Sequence, residues 1–519
     1  MLRNLLYACL TVLLFSCSTD SESTQEDPPQ SQDPAADETA PVISLSGLPD
    51  LLEVLTEINI SITDASEDVT TTISLDNQEL YQGNEKQISL NINPFDFDAG
   101  TKTLRISATD DSGNTEDETS EFELRKLLLK FPKALRGTET ALASVYLAIN
   151  DLDGKLITYQ EIETNDEAVF YADDEFEEQN FTFTVYTIAK EPQSFQFISS
   201  RTEISPGTTI PDPNEVTEGC TERSGGIGTT VISLDIASNF RPQLRSYHAV
   251  LTTTNGMGPF NLNYHAEEEP FYFIYSFPLF LTPPDQYEYF LLEDLDQTNF
   301  NLSDFQKPVT TQRFTVPAAD WLNLVVHGYR SEEDYTCNKF HEILDVLAVE
   351  DQTGGELDAP EFDFFPVYSK EIILNYSGGR QYTIRQKGLG RDIADPDVDM
   401  LKSGEMVNFT GKYQQAEFLL EDAEMLPSGT LNFFSWRFRA PEKETRAIPF
   451  FNFEFPEEVS QELESKAIAY DPRTAAIDSY FCFITAYETE PSYTDLFLNP
   501  VLSENERGDF LKLSLDLSL

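Results

Sequence analysis

Short segments in which apolar and polar residues alternate recur along the chain, and turn-forming residues separate them. Between residues 41 and 124 the alternating apolar positions are Val42, Ile43 and Leu45; Ile58, Ile60 and Ile62; Ile73 and Leu75; Ile88, Leu90 and Ile92; Leu104, Ile106 and Ala108; and Phe122 and Leu124. The last residues repeat the pattern at Leu511, Leu513, Leu515, Leu517 and Leu519. A period of two directs one side of each strand into a core. The sequence therefore predicts an all-β chain built from tandem β-sandwich modules.

The first residues predict export. Arg3 precedes an apolar run from Leu5 to Phe15, which is too short to cross a bilayer as a permanent helix but has the length of a signal-peptide core. The run ends in Leu14-Phe15-Ser16-Cys17, which resembles the bacterial lipobox. The resemblance implies that residues 1–16 are a lipoprotein signal peptide and that Cys17 carries the lipid. Acyl chains on Cys17 would then attach the protein to the membrane.

A polar segment follows the lipidation motif. Residues 18–40 contain no aromatic, branched aliphatic or basic residue, so they lack the apolar surface that would offset the entropy of ordering. We expect residues 17–40 to form a disordered acidic tether. Asp20 and Glu22 lie close to Cys17, and this acidic stretch resembles the export signal of surface lipoproteins in Bacteroidetes-type bacteria. The expected location is the outer membrane, with the cell surface favoured and the periplasmic face left open.

Residues 41–126 carry the most specific fold signal. A strand led by Gly100 ends in Ala108-Thr109-Asp110, and a Gly113-Asn114 turn follows it. This order resembles the closing hairpin of bacterial immunoglobulin-like domains, and it implies a β-sandwich that acts as a spacer or binding module. Gly113 suits the positive φ of such a turn, and the Asp110 carboxylate can accept hydrogen bonds from its backbone amides.

Three landmarks recur in the same order beyond residue 126. The first is Tyr146–Asp153, Tyr289–Asp296 and Glu417–Glu424; the second is Phe183–Ile188, Leu324–Tyr329 and Phe481–Ala486; the third is Leu234–Ile236, Leu344–Val346 and Leu515–Leu517. We interpret them as three related β-sandwich repeats at 127–240, 241–355 and 356–519, with chance similarity among β-rich segments as the alternative. The third repeat holds an insertion near 425–480, where Val459 and Leu463 have helical spacing.

The first repeat contains a hairpin signal. Asn150-Asp151-Leu152-Asp153-Gly154-Lys155 lies between two alternating runs, and Asp-Gly is a preferred pair at the tip of a tight turn. On this hairpin the repeat resembles transthyretin-like or carboxypeptidase-regulatory β-sandwiches, a type of module found in many surface proteins.

The charge balance excludes polyanionic partners. The chain has 34 Lys and Arg against 91 Asp and Glu, a formal net charge of −57. A surface of this charge repels nucleic acid and anionic lipid. Five cysteines and four histidines leave little material for a zinc or iron–sulfur centre. Cys220, Cys337 and Cys482 follow the lipobox, and either one disulfide or buried free thiols would fit an exported chain.

Acidic residues offer a weak metal candidate. Asp395, Asp397 and Asp399 alternate in a loop, and calcium prefers converging carboxylates. The EF-hand pattern would require Gly and Glu where the chain has Met400 and Met406. A solvated acidic loop, with no metal or other cofactor, is therefore the preferred interpretation.

Aromatic residues offer a second kind of candidate. The possible carbohydrate-stacking residues are Tyr272, Tyr275, Trp321 and Trp436. Their rings suit stacking on a sugar, whereas burial between two modules is the alternative explanation for aromatic-rich strands.

We consider three functions. The leading hypothesis is a cell-surface or outer-membrane-anchored lipoprotein that binds a glycan or another surface protein, as an adhesin-like or glycan-handling accessory module. The second is an extracellular hydrolase with its catalytic site in 356–519. A glycosidase needs two facing carboxyls, and among 91 acidic residues the sequence nominates no pair, so no catalytic residue is assigned and an enzyme is the less favoured class. The third is a structural role beside an outer-membrane partner.

Overall fold

The computed structural model describes most of the chain after residue 37. The described residues are 38–131, 143–162, 167–190, 195–211, 227–235, 240–243, 249–253, 259–265, 271–278, 287–296, 299–301, 304–349, 355–425, 431–466, 468, 479–489, 491–498 and 509–517. Among them are 35 β-strands, three α-helices and two short 3-10 helices. The predicted all-β class is therefore confirmed, and the chain divides into two compact units.

The described part of the first unit comprises residues 38–48, 57–90 and 102–121. It contains all or most residues of β1 (Val42–Ser46), β3 (Thr56–Thr63), β4 (Val69–Leu75), β5 (Gln78–Gly83), β6 (Gln87–Ile92), β7 (Gly100–Asp110) and β8 (Thr115–Leu124). The strand ends Thr56, 91–92, 100–101 and 122–124 belong to the second unit. β1, β3 and β6 form one sheet, and β8, β7, β4 and β5 are neighbours in another. Ile60, Ile73 and Ile106 are fully buried. Each of the six alternating segments lies in a strand, and their apolar residues are buried or half-buried except Val42, which is 62% exposed.

The turn between β7 and β8 has the predicted geometry. Gly113 has a φ of +89°, and the Asn114 N–H donates to Asp110 Oδ1 at 2.7 Å. Burial acts to raise the pKa of Asp110, but hydrogen bonds from Asn114 and from the Ser112 and Gly113 amides lower it overall. The Asp110 carboxylate therefore caps the turn in its charged form.

The second unit is built on a twelve-stranded sheet. In spatial order its strands are β11 (Leu156–Glu161), β10 (Ala143–Asn150), β13 (Phe181–Ala189), β14 (Phe195–Ile204), β32 (Leu431–Pro441), β31 (Gln415–Met425), β34 (Ser479–Tyr487), β35 (Phe510–Asp516), β28 (Arg380–Lys387), β27 (Val367–Tyr376), β24 (Trp321–Tyr329) and β25 (His341–Val349). Every neighbouring pair is antiparallel except β14 and β32, which run parallel.

Smaller elements complete the second unit. The strands of its smaller sheets are β9 (Leu127–Phe131), β12 (Ala168–Tyr171) and β15 (Thr208–Thr209); β16 (Ile227–Asp235), β18 (Ala249–Thr253), β19 (Phe260–His265) and β22 (Asn299–Asn301); β17 (Phe240–Gln243), β20 (Tyr272–Pro278) and β21 (Glu288–Leu292); β23 (Thr310–Val316) and β26 (Gly355–Glu361); and β29 (Asp399–Ser403), β30 (Met406–Thr410) and β33 (Thr445–Ala447). β2 (Leu51–Leu52) pairs with Glu123 and Leu124. The α-helices are α1 (Glu332–Thr336), α2 (Glu457–Ser465) and α3 (Tyr493–Leu498). Two 3-10 helices span Pro94–Asp96 and Pro449–Phe451.

Alternation along the strands gives the large sheet two different faces. On β10 and β13, Ala148 and Tyr186 enter the main core, together with Phe418 and Trp436 of β31 and β32. Leu147 and Phe183 lie on the other side of the same two strands and belong to a second core, which also contains Leu129 of β9. We call the side that faces the main core the inner face and the other side the outer face. Beyond β14 the outer face carries exposed and half-buried residues such as Arg437 and Trp321.

Strands from all three predicted repeats lie in this one sheet. In the first and third repeats the first two landmarks pair antiparallel, with Tyr146 opposite Tyr186 and Phe418 opposite Cys482. In the second repeat β21 pairs with β20 instead, and β24 pairs with β25. The main core reaches from Tyr146 to Leu517 and runs across residues 240 and 355. The repeat boundaries themselves stay a prediction.

Two local predictions in the second unit are confirmed. Residues 150–155 join β10 and β11, with Asp151 N–H bonded to Lys155 O at 2.9 Å. The helix predicted from the spacing of Val459 and Leu463 is α2, and these two are its fully buried residues. Their spacing of four places both side chains on one face of the helix, against the main core.

The described cysteines differ in state. Cys337, which follows α1, is disulfide-bonded. Cys482 on β34 is a free thiol that is buried in the main core. Desolvation raises the pKa of the Cys482 thiol far above its ordinary value, so this group stays protonated and behaves as a small apolar side chain.

The hairpin turn provides a test of the packing. Gly154 has a φ of +92°, and a Cβ there would lie 2.6 Å from Asn452 O. Gly388 has a similar φ of +84°, but a Cβ there meets nothing within 4 Å. We expect Gly388→Ala to lower the free energy of unfolding by about 1 kcal/mol through backbone strain, and Gly154→Ala to lower it further through the added clash. Urea denaturation of the two variants measures the difference, and equal losses would contradict the packing.

Candidate functional site

A pocket lies beside the β10–β11 hairpin, on the inner face of the large sheet, and has a volume of about 360 Å³. We call it the hairpin pocket. Its walls are the turn residues Leu152, Asp153 and Gly154; Thr182 and Thr202; Phe418 and Phe438; Met406; Lys443, Thr445, Arg446 and Ala447; and Ile448, Pro449, Asn452 and Phe453. A volume of this size is within the range of small-molecule sites, in which apolar surfaces are combined with a few polar groups.

Hydrogen bonds fix the hairpin at the edge of the pocket. Asn150 Nδ2 donates to Gly154 O at 2.9 Å and to Glu454 O at 2.8 Å. The Glu454 N–H donates in turn to Gly154 O at 2.9 Å. Only glycine allows this approach, because its missing Cβ leaves room for the Asn452 carbonyl. The turn and residues 452–454 therefore form one rigid wall.

Two cationic side chains lie on the opposite wall. Arg446 Nη2 contacts Glu203 Oε1 at 2.8 Å and donates to Pro441 O at 2.7 Å, so its guanidinium is held in place. Lys443 is exposed, but its backbone is anchored: Lys443 N–H donates to the Tyr413 hydroxyl at 2.8 Å, which donates to Lys443 O at 2.6 Å. Burial raises the pKa of Tyr413 to about 12. The Tyr413 hydroxyl is therefore a lasting donor at neutral pH.

The floor of the pocket is the edge of the main core, where the lining residues Phe418 and Phe438 are only 1% and 7% exposed. Phe418 and Phe438 come from adjacent strands and are paired in register across β31 and β32. The ring of Phe453 packs edge-on against Phe438, with ring centres 6.1 Å apart. Leu152 and Met406 stand at the margin and expose 51% and 38% of their surface. Exposed apolar margins with a few hydroxyl and cationic groups suit a ligand that has both apolar and polar faces.

The structure places three of the four candidate stacking residues in the interior. Tyr272 and Tyr275 are 0% exposed and Trp436 is 1% exposed. The Tyr275 hydroxyl donates to Glu342 Oε1 at 2.9 Å, and Trp436 Nε1 donates to Ser200 Oγ at 3.0 Å. A ring enclosed in a core presents no face to a sugar, so the burial alternative holds for these three. Trp321 is half-buried on the outer face, and its role stays a prediction.

The structure does not bring the acidic loop together as a metal site. Asp395 and Asp397 are exposed, whereas Asp399 Oδ1 pairs with Arg380 Nε at 3.1 Å. Within the described ranges, no group of three or more His, Cys, Asp or Glu residues has the geometry to hold a metal ion. Asp399 begins β29, and its carboxylate also accepts the Met400 N–H at 2.8 Å.

The anchor prediction lies outside the described residues. Cys17, the signal peptide 1–16 and most of the tether 17–40 precede residue 38, where the description begins. In the described part of the chain, no helix has the length and apolar character needed to cross a membrane.

Most of the hairpin pocket has no signal in the sequence. The turn at 150–155 was predictable, but the other walls come from β13, β14 and residues 406–453, which are distant in sequence. Phe418 and Phe438 each lie in an alternating strand, so their burial was predictable, but their closeness to Gly154 was not. No local pattern marks a pocket that forms only when distant strands pair.

Comparison with known proteins gives no family. No family model matches the chain, and no curated protein sequence matches it. Among solved structures, the fibronectin(III)-like modules of Clostridium thermocellum CbhA share 13% identity at a TM-score of 0.15, covering 32% of this chain and 92% of theirs. Bacteroides ovatus SGBP-B, solved with a mixed-linkage heptasaccharide, shares 12% identity at a TM-score of 0.15 and covers 63% and 93%. A Ca²⁺-stabilised, ice-binding adhesin of an Antarctic bacterium shares 8% at 0.15 and covers 87% and 96%. Similarity this low carries no functional argument.

The charge and the acidic loop together generate a prediction about cations. A net charge of −57 strains the fold by self-repulsion. Raising sodium chloride from about 10 mM to about 150 mM shortens the screening length from about 30 Å to about 8 Å, so we expect a higher melting temperature. At matched ionic strength, calcium should add no saturable increase. Scanning calorimetry of wild type and Asp397→Asn tests this, and a saturable calcium shift that Asp397→Asn abolishes would contradict it.

Proposed function

We propose that this protein is an exported binding module, anchored to the outer membrane through Cys17, which holds a saccharide or a ligand of similar size in the hairpin pocket. The observation that supports this function is the pocket itself: about 360 Å³, with the exposed apolar side chains of Leu152 and Met406 beside the cations Lys443 and Arg446. Sugars combine apolar ring faces with hydroxyls, and apolar side chains with nearby Thr, Lys and Arg groups complement both. If the module is displayed at the cell surface, it would act as an adhesin-like protein or as an accessory protein in glycan handling.

Binding is favoured over hydrolysis by the acidic groups at the pocket. Asp153 is the only carboxylate among the described lining residues. Glu203 lies nearby, but it is paired with Arg446 at 2.8 Å. Cleavage of a glycosidic bond uses two carboxyl groups about 5 to 10 Å apart across the substrate. A pocket with one exposed carboxylate and fixed cations is better suited to holding a ligand than to cleaving it.

A pocket-filling variant tests the proposed site. Ala447 is exposed and lines the pocket, so Ala447→Trp should fill it and leave the core unchanged. We expect wild type to bind saccharides on a glycan array and Ala447→Trp to lose at least about tenfold in affinity, which corresponds to about 1.4 kcal/mol.

The matched control is Ala423→Trp, which adds the same ring at an exposed position of β31 that does not line the pocket. This variant should bind like wild type. Equal binding by wild type and both variants would show that the ligand binds elsewhere. Failure of the wild type to bind any saccharide on the array would refute the proposal that the ligand is a saccharide.

The anchor is tested separately. Metabolic labelling of cells with a fatty-acid analogue should label the wild-type protein, and Cys17→Ala should remain unlabelled because it lacks the thiol that accepts the acyl chains. Protease treatment of intact cells should then degrade the labelled protein if it faces outward. Equal labelling of both proteins would refute the lipid anchor.

A further inference from the structure

A second concave site lies on the outer face of the large sheet, behind the strands that form the floor of the hairpin pocket. Its volume is about 270 Å³, and it is lined by residues of β14, β32, β31, β34 and β35, with Leu496 of α3 at one side. Four of its lining residues are basic: Arg201, Arg437, Arg439 and Lys512. We call it the basic cleft.

The basic cleft reverses the charge of the rest of the protein. Acidic residues outnumber basic ones by 91 to 34 in the chain, yet four basic side chains line this cleft and Glu417 is the only carboxylate among its described lining residues. Glu417 Oε2 contacts Arg439 Nε at 2.6 Å and neutralises that one guanidinium.

The register of the strands collects these cations. Arg201 lies opposite Arg439 in the parallel pair of β14 and β32, and Arg437 precedes Arg439 by two residues on the same face. Lys512 lies opposite Thr485, which in turn lies opposite Gln415 of β31. Because backbone pairing sets these positions, the cations converge without a ligand, which reduces the entropic cost of binding one.

Two of the cations are available to a ligand. Arg437 is exposed, and neither it nor Lys512 forms an ion pair with a carboxylate within the described residues. The Lys512 ammonium instead lies 4.5 Å from the centre of the Phe483 ring, which holds it over the cleft. Arg439 is oriented by Glu417 and by a contact of Nη1 with Ser199 Oγ at 3.5 Å.

A neighbouring tyrosine contacts the backbone of Arg439. Tyr493 of α3 donates to Arg439 O at 2.8 Å. Burial raises the pKa of Tyr493, whereas the guanidinium groups of Arg201, Arg439 and Arg446 act to lower it. Burial outweighs these charges and keeps Tyr493 protonated, so its hydroxyl remains a donor to Arg439 O.

We propose that the basic cleft is a binding site for one oxyanion group, a carboxylate or a sulfate, carried by a small ligand or by the end of a chain. Arg forms paired hydrogen bonds with the oxygens of such groups, and Lys adds a point charge. The net charge of −57 excludes an extended polyanion, because every anionic group outside the cleft would meet a negative surface. The cleft lies on the opposite face of the sheet from the hairpin pocket, so this proposal does not depend on the function proposed above.

Titration calorimetry on the full chain in neutral detergent tests this site. The probes are sodium sulfate, sodium glucuronate and uncharged glucose, each at the same ionic strength. We expect saturable binding of sulfate, of glucuronate or of both, and none of glucose. Binding of only one anion identifies whether the group is a sulfate or a carboxylate, and no saturable binding of either overturns the proposal.

Two arginine variants locate the binding. Arg437→Ala removes an exposed guanidinium without an ion pair, so the fold should remain intact, and we expect about a tenfold loss of affinity for the bound anion. Arg105→Ala removes the same charge from an exposed position in the first unit and should bind like wild type. Arg437→Lys should bind with intermediate affinity. An Arg437→Ala protein that keeps its melting temperature and binds as tightly as Arg105→Ala overturns the assignment.

Discussion

The parallel pairing of β14 with β32 holds the second unit together. It aligns Phe195 to Arg201 with Phe433 to Arg439, so it joins segments more than 230 residues apart in the chain. Trp436 is buried at this junction and donates to Ser200 Oγ at 3.0 Å. Burying one large side chain contributes about 2 kcal/mol to the free energy of unfolding, and the hydrogen bond to Ser200 satisfies the one side-chain donor of Trp436. Without this pairing the twelve-stranded sheet would separate into two smaller sheets.

Both candidate sites depend on the same junction. On the inner face Thr202 and Phe438 contribute to the hairpin pocket, and on the outer face Arg201 and Arg439 contribute to the basic cleft. Successive residues of a strand point to opposite faces, so four adjacent positions on two strands supply both sites. A slip of one residue would move the arginines into the aromatic core and the phenylalanine to solvent. The core therefore fixes the register, and the register fixes both sites.

Local features of this fold were predictable from the sequence. The capped turn at Asp110, the hairpin at Gly154 and the buried face of α2 each depend on residues within a few positions of one another. Strand order was not predictable, because β14 and β32 carry no local mark of being partners. For the same reason Trp436 was a candidate sugar-stacking residue, although alternation puts it on the core side with Phe434 and Phe438. Arg437 and Arg439 occupy the outer positions of the same strand. Two cations in alternation are uncommon in a chain with 34 Lys and Arg among 519 residues, so this part of the basic cleft could have been predicted.

Bringing cations together in a cleft costs less electrostatic free energy in a protein of net charge −57 than it would in a neutral protein. Four cations brought together repel one another, but Glu417 offsets one of them by its contact with Arg439 at 2.6 Å, and the 91 carboxylates of the chain lower the electrostatic cost of holding the others. The same carboxylates oppose an approaching anion until it reaches the cleft, where the contacts with Arg437 and Lys512 become dominant. Long-range repulsion and short-range attraction select a compact ligand that carries its charge on one group, because such a ligand crosses the negative surface at the least cost and still satisfies the cations. The acidity of the whole chain thus acts as part of the specificity of this one site.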